Sequence, residues 1–350
     1  TLIGLGVMPE LQKDKLQTFL LILAIFPIVN FICSIFFLRD SPKGLLLSKK
    51  IELISGPGCP VCVTPSAYID RLIELSKEEG KTVASFGDLL RVPGSRGTLS
   101  EAAGQGGRVK MLYSPADILG LARENPETEY IFAAIGFETT APVYALLIDS
   151  LIRENIKNVK ILTAMKTMDM AVDYICKNSG EIDGFLAPGH VCVVAGAKEF
   201  EAAAEKYALP FVVSGFTGEE ILKSIYLIVK NRGRGRVLNA YGSVVTREGN
   251  LTAQALIDKY FERADAVWRG IGRLEKSGLL LRNDYREFDA GSRDLNEDKK
   301  INPACACDKV IIGKMKPTQC PLFKKICSPL NPQGACMVSP EGTCNSYYGD

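Results

Sequence analysis

The chain has 350 residues, 42 lysines and arginines against 40 aspartates and glutamates, and a formal net charge of +2. A near-zero balance lacks the basic field of a nucleic-acid binder, and 47% hydrophobic with 23% charged residues excludes a disordered chain. A single histidine excludes any site built on several histidine ligands, whereas eleven cysteines put thiol and iron–sulfur chemistry first.

Residues 19–38 form the first distinctive segment. Of these 20 residues 17 are apolar, with Pro27, Asn30 and Ser34 as the interruptions, a length that just spans a bilayer. Lys13 and Lys15 precede it and Arg39, Lys43, Lys49 and Lys50 follow, which would place its C-terminal side in the cytoplasm. No small-residue cleavage site follows, so a secretory signal fits poorly. The segment reads as a buried helix or an atypical start, with a membrane span as the alternative. The chain begins with Thr1, which reads as a fragment.

From Ile51 onward, short apolar runs rich in β-branched residues alternate with segments of helical period. That alternation predicts βαβ units and parallel sheets. Strands are expected at 51–54, 82–85, 110–112, 130–135, 159–162, 184–186 and 210–213. Helices are expected at 67–79, 115–124, 142–154, 195–207, 218–231 and, from the spacing of Leu256, Tyr260, Val267 and Ile271, at 251–279. The charged stretch 282–300 reads as a linker. A weak internal repeat pairs 56–63 with 187–193, and another pairs 135–140 with 214–219. It suggests two similar α/β domains facing a cleft, where loops at the carboxyl ends of parallel strands bind ligands. The predicted division is an atypical segment 1–48, α/β domains at 49–155 and 156–245, and a helical linker with a cysteine-rich domain at 246–350.

Two cysteine motifs carry the chemistry. Gly56-Pro57-Gly58-Cys59-Pro60-Val61-Cys62 places a CxxC pair at a helix start, where thiolate is favoured, and its glycines let a bound group approach the backbone. The tail holds six of the eleven cysteines, Cys305, Cys307, Cys320, Cys327, Cys336 and Cys344, among prolines and glycines. Such a segment buries little core and needs a metal or covalent staple. A [4Fe–4S] cluster held by four thiolates, with two left for a disulfide, is the leading reading. A disulfide-only tail and a zinc site are the alternatives, the latter weakened by the lack of paired knuckles. Gly136-Phe137-Glu138-Thr139-Thr140-Ala141-Pro142 lies between a strand and a helix, where Thr139 or Thr140 could cap the helix. His190, on a Pro-Gly turn, reads as a hydrogen-bonded histidine, with proton handling as the functional alternative. Neither a dinucleotide fingerprint nor a P-loop is present.

Together these motifs resemble the HypD family of hydrogenase maturation factors, from about Ile51 to Gly349. The resemblance rests on 53–65 (LISGPGCPVCVTP), 86–95 (FGDLLRVPGS), 113–115, 136–142 (GFETTAP), 188–191 and the tail phrases around Lys316–Phe323 and Gly334–Ser339. It implies a cytoplasmic scaffold that assembles the Fe(CN)2CO unit of [NiFe]-hydrogenases with a HypC-type chaperone and a HypE-type cyanide donor. Cys59 and Cys62 carry over as the redox-active or iron-handling pair, with Gly56, Pro57, Gly58, Glu138, Thr139 and Thr140 lining the ligand site and His190 a candidate for proton handling. The tail is also similar to the cluster site of ferredoxin–thioredoxin reductase. That likeness implies Cys305, Cys320, Cys327 and Cys344 as [4Fe–4S] ligands, Cys307 and Cys336 as a redox pair, and Glu341 as a tuning or proton-transfer group. The family's Cys-Gly-Thr-His-Thr iron-ligand motif is missing from the window 30–37, where only Cys33 stands near, and the family tends to have serine where Cys192 stands. Residues 1 to about 48 therefore read as non-family sequence, and the rival functions are a ferredoxin-linked thiol–disulfide reductase and an inactive interaction protein.

Overall fold

The computed structural model describes residues 51–178, 182–295 and 297–349. The apolar stretch 19–38 and the window around Cys33 lie outside the described residues. No helix among the described residues is long and apolar enough to cross a membrane.

A four-stranded parallel sheet opens the fold, with β1 Lys81–Ser85, β2 Val109–Met111, β3 Glu129–Ala134 and β4 Val159–Thr163 in the order β2-β1-β3-β4. Both faces of the sheet are covered, which is why its strands read as nearly continuous apolar runs. Along β3, Ile131 and Ala133 join a core with Tyr68, Ile69 and Leu72 of the helix Ser66–Lys77. Tyr130, Phe132 and Ala134 point the other way, into a second core with Tyr144, Ile148 and Leu151 of the helix Ala141–Arg153. This is the two-residue alternation of a pleated strand with a helix on each side.

The chain continues through β5 Met165–Lys166, β6 Phe185–Pro188, β7 Pro210–Ser214, β8 Arg236–Asn239, β9 Phe261–Trp268 and β10 Gly272–Leu281. Strands β6, β7 and β8 form a second parallel sheet. Strands β5, β10 and β9 form a third, antiparallel sheet, where the apolar spacing predicts a helix. The α/β class with parallel sheets stands, and the third sheet is an addition to it. β4 lies beyond residue 155 yet pairs with β3 of the first sheet.

Four local expectations are corrected. Residues 51–54 form no strand; Leu53 and Ile54 are exposed, and the segment turns where the Gly58 N–H donates to the Gly56 carbonyl. The helix expected over 251–279 stops at Tyr260, and the rest is the β9–β10 hairpin. Phe261 to Trp268 alternates in burial as a strand does, so the helical spacing of Val267 and Ile271 was coincidental. The helix expected over 195–207 is broken at Gly196, whose φ of +89° ends the helix Gly189–Ala195 before Glu201–Tyr207 begins. Residues 282–300 are more than a linker: Phe288 is buried, the Ala290 N–H donates to the Ile161 carbonyl, and Ser292 Oγ accepts from the Thr163 N–H at 2.8 Å.

Candidate functional site

Cys59 caps and Cys62 lies within a single helical turn, Pro60–Val63. Proline at the first helical position presets φ, and Cys59 acts as the cap, its Sγ accepting from the Cys62 N–H at 3.2 Å. The two cysteines are buried and disulfide-bonded. One turn carries little macrodipole, so the local hydrogen bond, rather than a long helix, is the polar support of Cys59. Pro57 is buried, while Gly56 and Gly58 face open space: a side chain at either would meet nothing within 4 Å. The protein's own packing does not demand glycine at either position.

The six tail cysteines converge. Cys305, Cys307, Cys320, Cys327, Cys336 and Cys344 line one small pocket, with Phe323, Gly334 and Met337 completing the wall. The Cys307 and Cys336 sulfurs lie 2.8 Å apart, and the Cys327 sulfur accepts from the Gln333 N–H. Hydrogen bonds from Cys305 and Cys336, with the nearby Arg269 guanidinium, hold the Cys307 thiol well below its ordinary value. The same contacts push Cys305 and Cys336 up, and burial raises Cys327. Six soft sulfur donors around an apolar pocket suit a thiolate-bound metal or iron–sulfur group.

The two cysteine motifs adjoin. At Gly342, two residues before Cys344, a β-carbon would collide with the Cys336 carbonyl and lie 3.0 Å from Cys62 Sγ. The backbone of the tail is therefore pressed against the CPVC pair at a point where only glycine fits. Gly342→Ala will cost about 1–3 kcal/mol by overpacking. It will push the tail away from Cys62, and a lowered denaturant midpoint checks it.

Long-range polar contacts set this juxtaposition. Arg91 donates to the Pro329 and Val338 carbonyls at 3.3 and 3.2 Å, and Ser339 donates to Asp88 at 2.9 Å. Arg269, buried at the end of β9, donates to the Thr64 carbonyl at 2.6 Å and the Pro93 carbonyl at 2.9 Å, and its N–H to Val63. Asp298 accepts from the Ser66 and Gly270 N–H groups. Asp88 and Arg91 stand in the 86–95 phrase, but nothing in the sequence signals what they hold.

The remaining expected residues lie elsewhere. Glu138 is buried; its Oε1 accepts from the Met168 N–H at 2.6 Å, and burial pushes its carboxyl up to about 8. Thr140 stands at the helix N-cap but does not cap it: its hydroxyl donates back to the Phe137 carbonyl. Thr139 is half-buried beside it. His190 is exposed and stacks on Phe216 at 4.0 Å, with no hydrogen-bond partner among the described residues, which corrects the reading of a hydrogen-bonded histidine. Glu341 is exposed, its N–H donating to Ser339. Cys192 is buried, and burial with the Glu138 and Glu199 carboxylates pushes its thiol up to about 12.

A buried lysine was missed. Lys166 on β5 is 4% exposed, and burial lowers it from 10.5 to about 7. Between those values the unfolded chain holds the proton and the folded one does not, so stability rises with pH through that window. Lys166→Met will remove that slope and stabilise the protein near neutral pH. Urea unfolding at neutral and alkaline pH measures it.

These features define a class: an α/β protein in which a CPVC pair adjoins six thiols gathered on one pocket. The family profile that matches residues 43–349 is HypD, described as "Hydrogenase formation hypA family". The chain belongs to that family. The match starts upstream of Ile51, inside the segment read above as non-family sequence. The chain is similar to the hydrogenase maturation factor HypD of Cupriavidus necator, at 39% identity over 316 residues, 87% of this chain and 83% of that one. It is 40% identical over 316 residues to HypD of Azotobacter vinelandii, with the same coverage. It is 38% identical over 309 residues to HypD of Escherichia coli K12, again covering 87% and 83%.

Proposed function

We propose that this chain is a cytoplasmic hydrogenase maturation scaffold on which the Fe(CN)2CO unit of a [NiFe]-hydrogenase is assembled. Its proposed partners are a HypC-type chaperone and a HypE-type cyanide donor. The observation that carries the proposal is the contact between the two cysteine motifs, with Gly342 wedged between Cys62 and Cys336. Family membership and the convergence of six thiols on one pocket support it.

In this reading Cys305, Cys320, Cys327 and Cys344 hold a [4Fe–4S] cluster, and Cys307 and Cys336 are the redox pair beside it. The cluster, when bound, supplies single electrons to thiol chemistry. Cys59 and Cys62 handle the iron cargo, for which soft thiolates suit cyanide and carbonyl ligands. Cys59 and Cys62 are joined here, so two electrons from an external one-electron donor, relayed through the tail, and two protons open the disulfide before its thiolates can hold the cargo. The open space beside Gly56 and Gly58 leaves room for a bound group against the loop backbone, and burial of both sulfurs keeps bulk water from the pair.

The test is metal and sulfide analysis of protein purified without oxygen. About four iron and four sulfide per chain are expected. Zinc, or six oxidised tail thiols without iron, would refute the cluster assignment. A ferredoxin-linked thiol–disulfide reductase is the second reading, favoured by the Cys59–Cys62 disulfide lying beside the Cys307–Cys336 pair.

A further inference from the structure

Away from the cysteines, three carboxylates from three elements meet. Glu138 comes from the loop after β3, Asp169 from the helix Met168–Asn178 and Glu199 from the turn Ala197–Phe200. One oxygen of each lies within 4.8 Å of the others. Arg263 of β9 donates to Asp169 Oδ2 at 2.5 Å and to Glu199 Oε1 at 2.8 Å. With all three ionised, the carboxylates and the one guanidinium sum to a charge of −2, which a divalent cation balances.

A second observation points the same way. Among the described residues, the buried side-chain nitrogen or oxygen atoms that lack a hydrogen-bond partner are Glu138 Oε2, Thr167 Oγ1 and Asp169 Oδ1. Two of the three belong to this carboxylate set. The third is one residue before Met168, whose N–H holds Glu138. Unpaired buried polar atoms are rare in native proteins, and an ion is one of their few explanations. Glu138 is 6% exposed, so its free oxygen has no recourse to bulk water. The Asp169 and Glu199 side chains keep 22% and 17% exposure, which leaves a way in for an ion.

We propose that Glu138, Asp169 and Glu199 bind one hard divalent cation of the Mg2+, Mn2+ or Ca2+ class. Carboxylate oxygens select that class over the soft iron for which the tail thiols are suited. Arg263 keeps one oxygen of Asp169 and one of Glu199, and their second oxygens join Glu138 Oε2 on the ion. The ion ties the loop after β3, in the first parallel sheet, to the turn Ala197–Phe200, between strands of the second.

Mn2+ is the probe. The full chain, purified without oxygen and with its iron content measured separately, is titrated while the electron paramagnetic resonance of free aqueous Mn2+ is followed. Wild-type protein will remove one Mn2+ per chain from solution, Ca2+ will compete, and Mn2+ will raise the thermal midpoint. Glu138→Gln, Asp169→Asn and Glu199→Gln will each weaken binding about tenfold or more and lose the midpoint shift. The last two sit at partly exposed positions, so they test the site even where the buried substitution unsettles the fold. Absence of Mn2+ binding by wild-type protein, or binding undiminished in all three variants, overturns the proposal. So does a proton released near neutral pH by wild-type protein but not by Glu138→Gln, without Mn2+ uptake, since it would assign the carboxylates to proton sharing. Because Mn2+ and iron are counted apart, failure here leaves the maturation reading untouched.

Discussion

Replacing Cys59 or Cys62 with alanine will abolish hydrogenase maturation while leaving the iron proposed for the tail in place. The two sulfurs are buried on a single turn, on the side of the tail where Gly342 admits no side chain. Alanine removes one sulfur and the short-loop Cys59–Cys62 disulfide and adds no bulk, so the cost to folding is that of a small cavity and one short cross-link. The loss of maturation should reach about a hundredfold or more, as for a group that touches the reacting species. Hydrogenase activity in cells that depend on this chain gives the first readout, and iron bound to the purified variant gives the second. Loss of both together would mean that the substitution destroys the tail pocket, and the division of labour between the motifs would fall with it.

Arg269→Met will be the most damaging single change outside the cysteines. Its guanidinium is buried and bonds two carbonyls, Thr64 after the CPVC turn and Pro93 in the 86–95 loop. Methionine fills similar volume but leaves both carbonyls unpaired, at a cost of about 3 kcal/mol or more. Lysine restores the charge without the planar fork, so Arg269→Lys should recover only part of the loss. Denaturant midpoints of the three proteins measure this. A methionine variant as stable as wild type would show that the arginine does not hold these segments together.

The parallel strands could be read from sequence because they are covered on both faces. β3 and β7 are apolar almost throughout, which is visible without any knowledge of their partners. β8 has no buried residue and so no pattern to notice. The β9–β10 hairpin was hidden because residues 256, 260, 267 and 271 happen to fall at helical spacing, although the chain changes structure at Phe261. In the site, the cysteines announced themselves by type and spacing. The residues that bring them together did not. Arg91 bonds carbonyls more than 230 positions away and Arg269 bonds carbonyls more than 170 away, separations that no local pattern encodes. Glu138 was singled out from its motif, but Asp169 and Glu199, which meet it in space, sit in unremarkable helical sequence.

The most direct test of the maturation reading is the infrared spectrum of the chain purified without oxygen together with the proposed HypC-type chaperone. The proposed scaffold predicts cyanide and carbonyl stretching bands that travel with the protein and vanish when Cys59 or Cys62 is replaced. A cluster and a reducible disulfide without those bands would contradict it and leave a thiol–disulfide reductase.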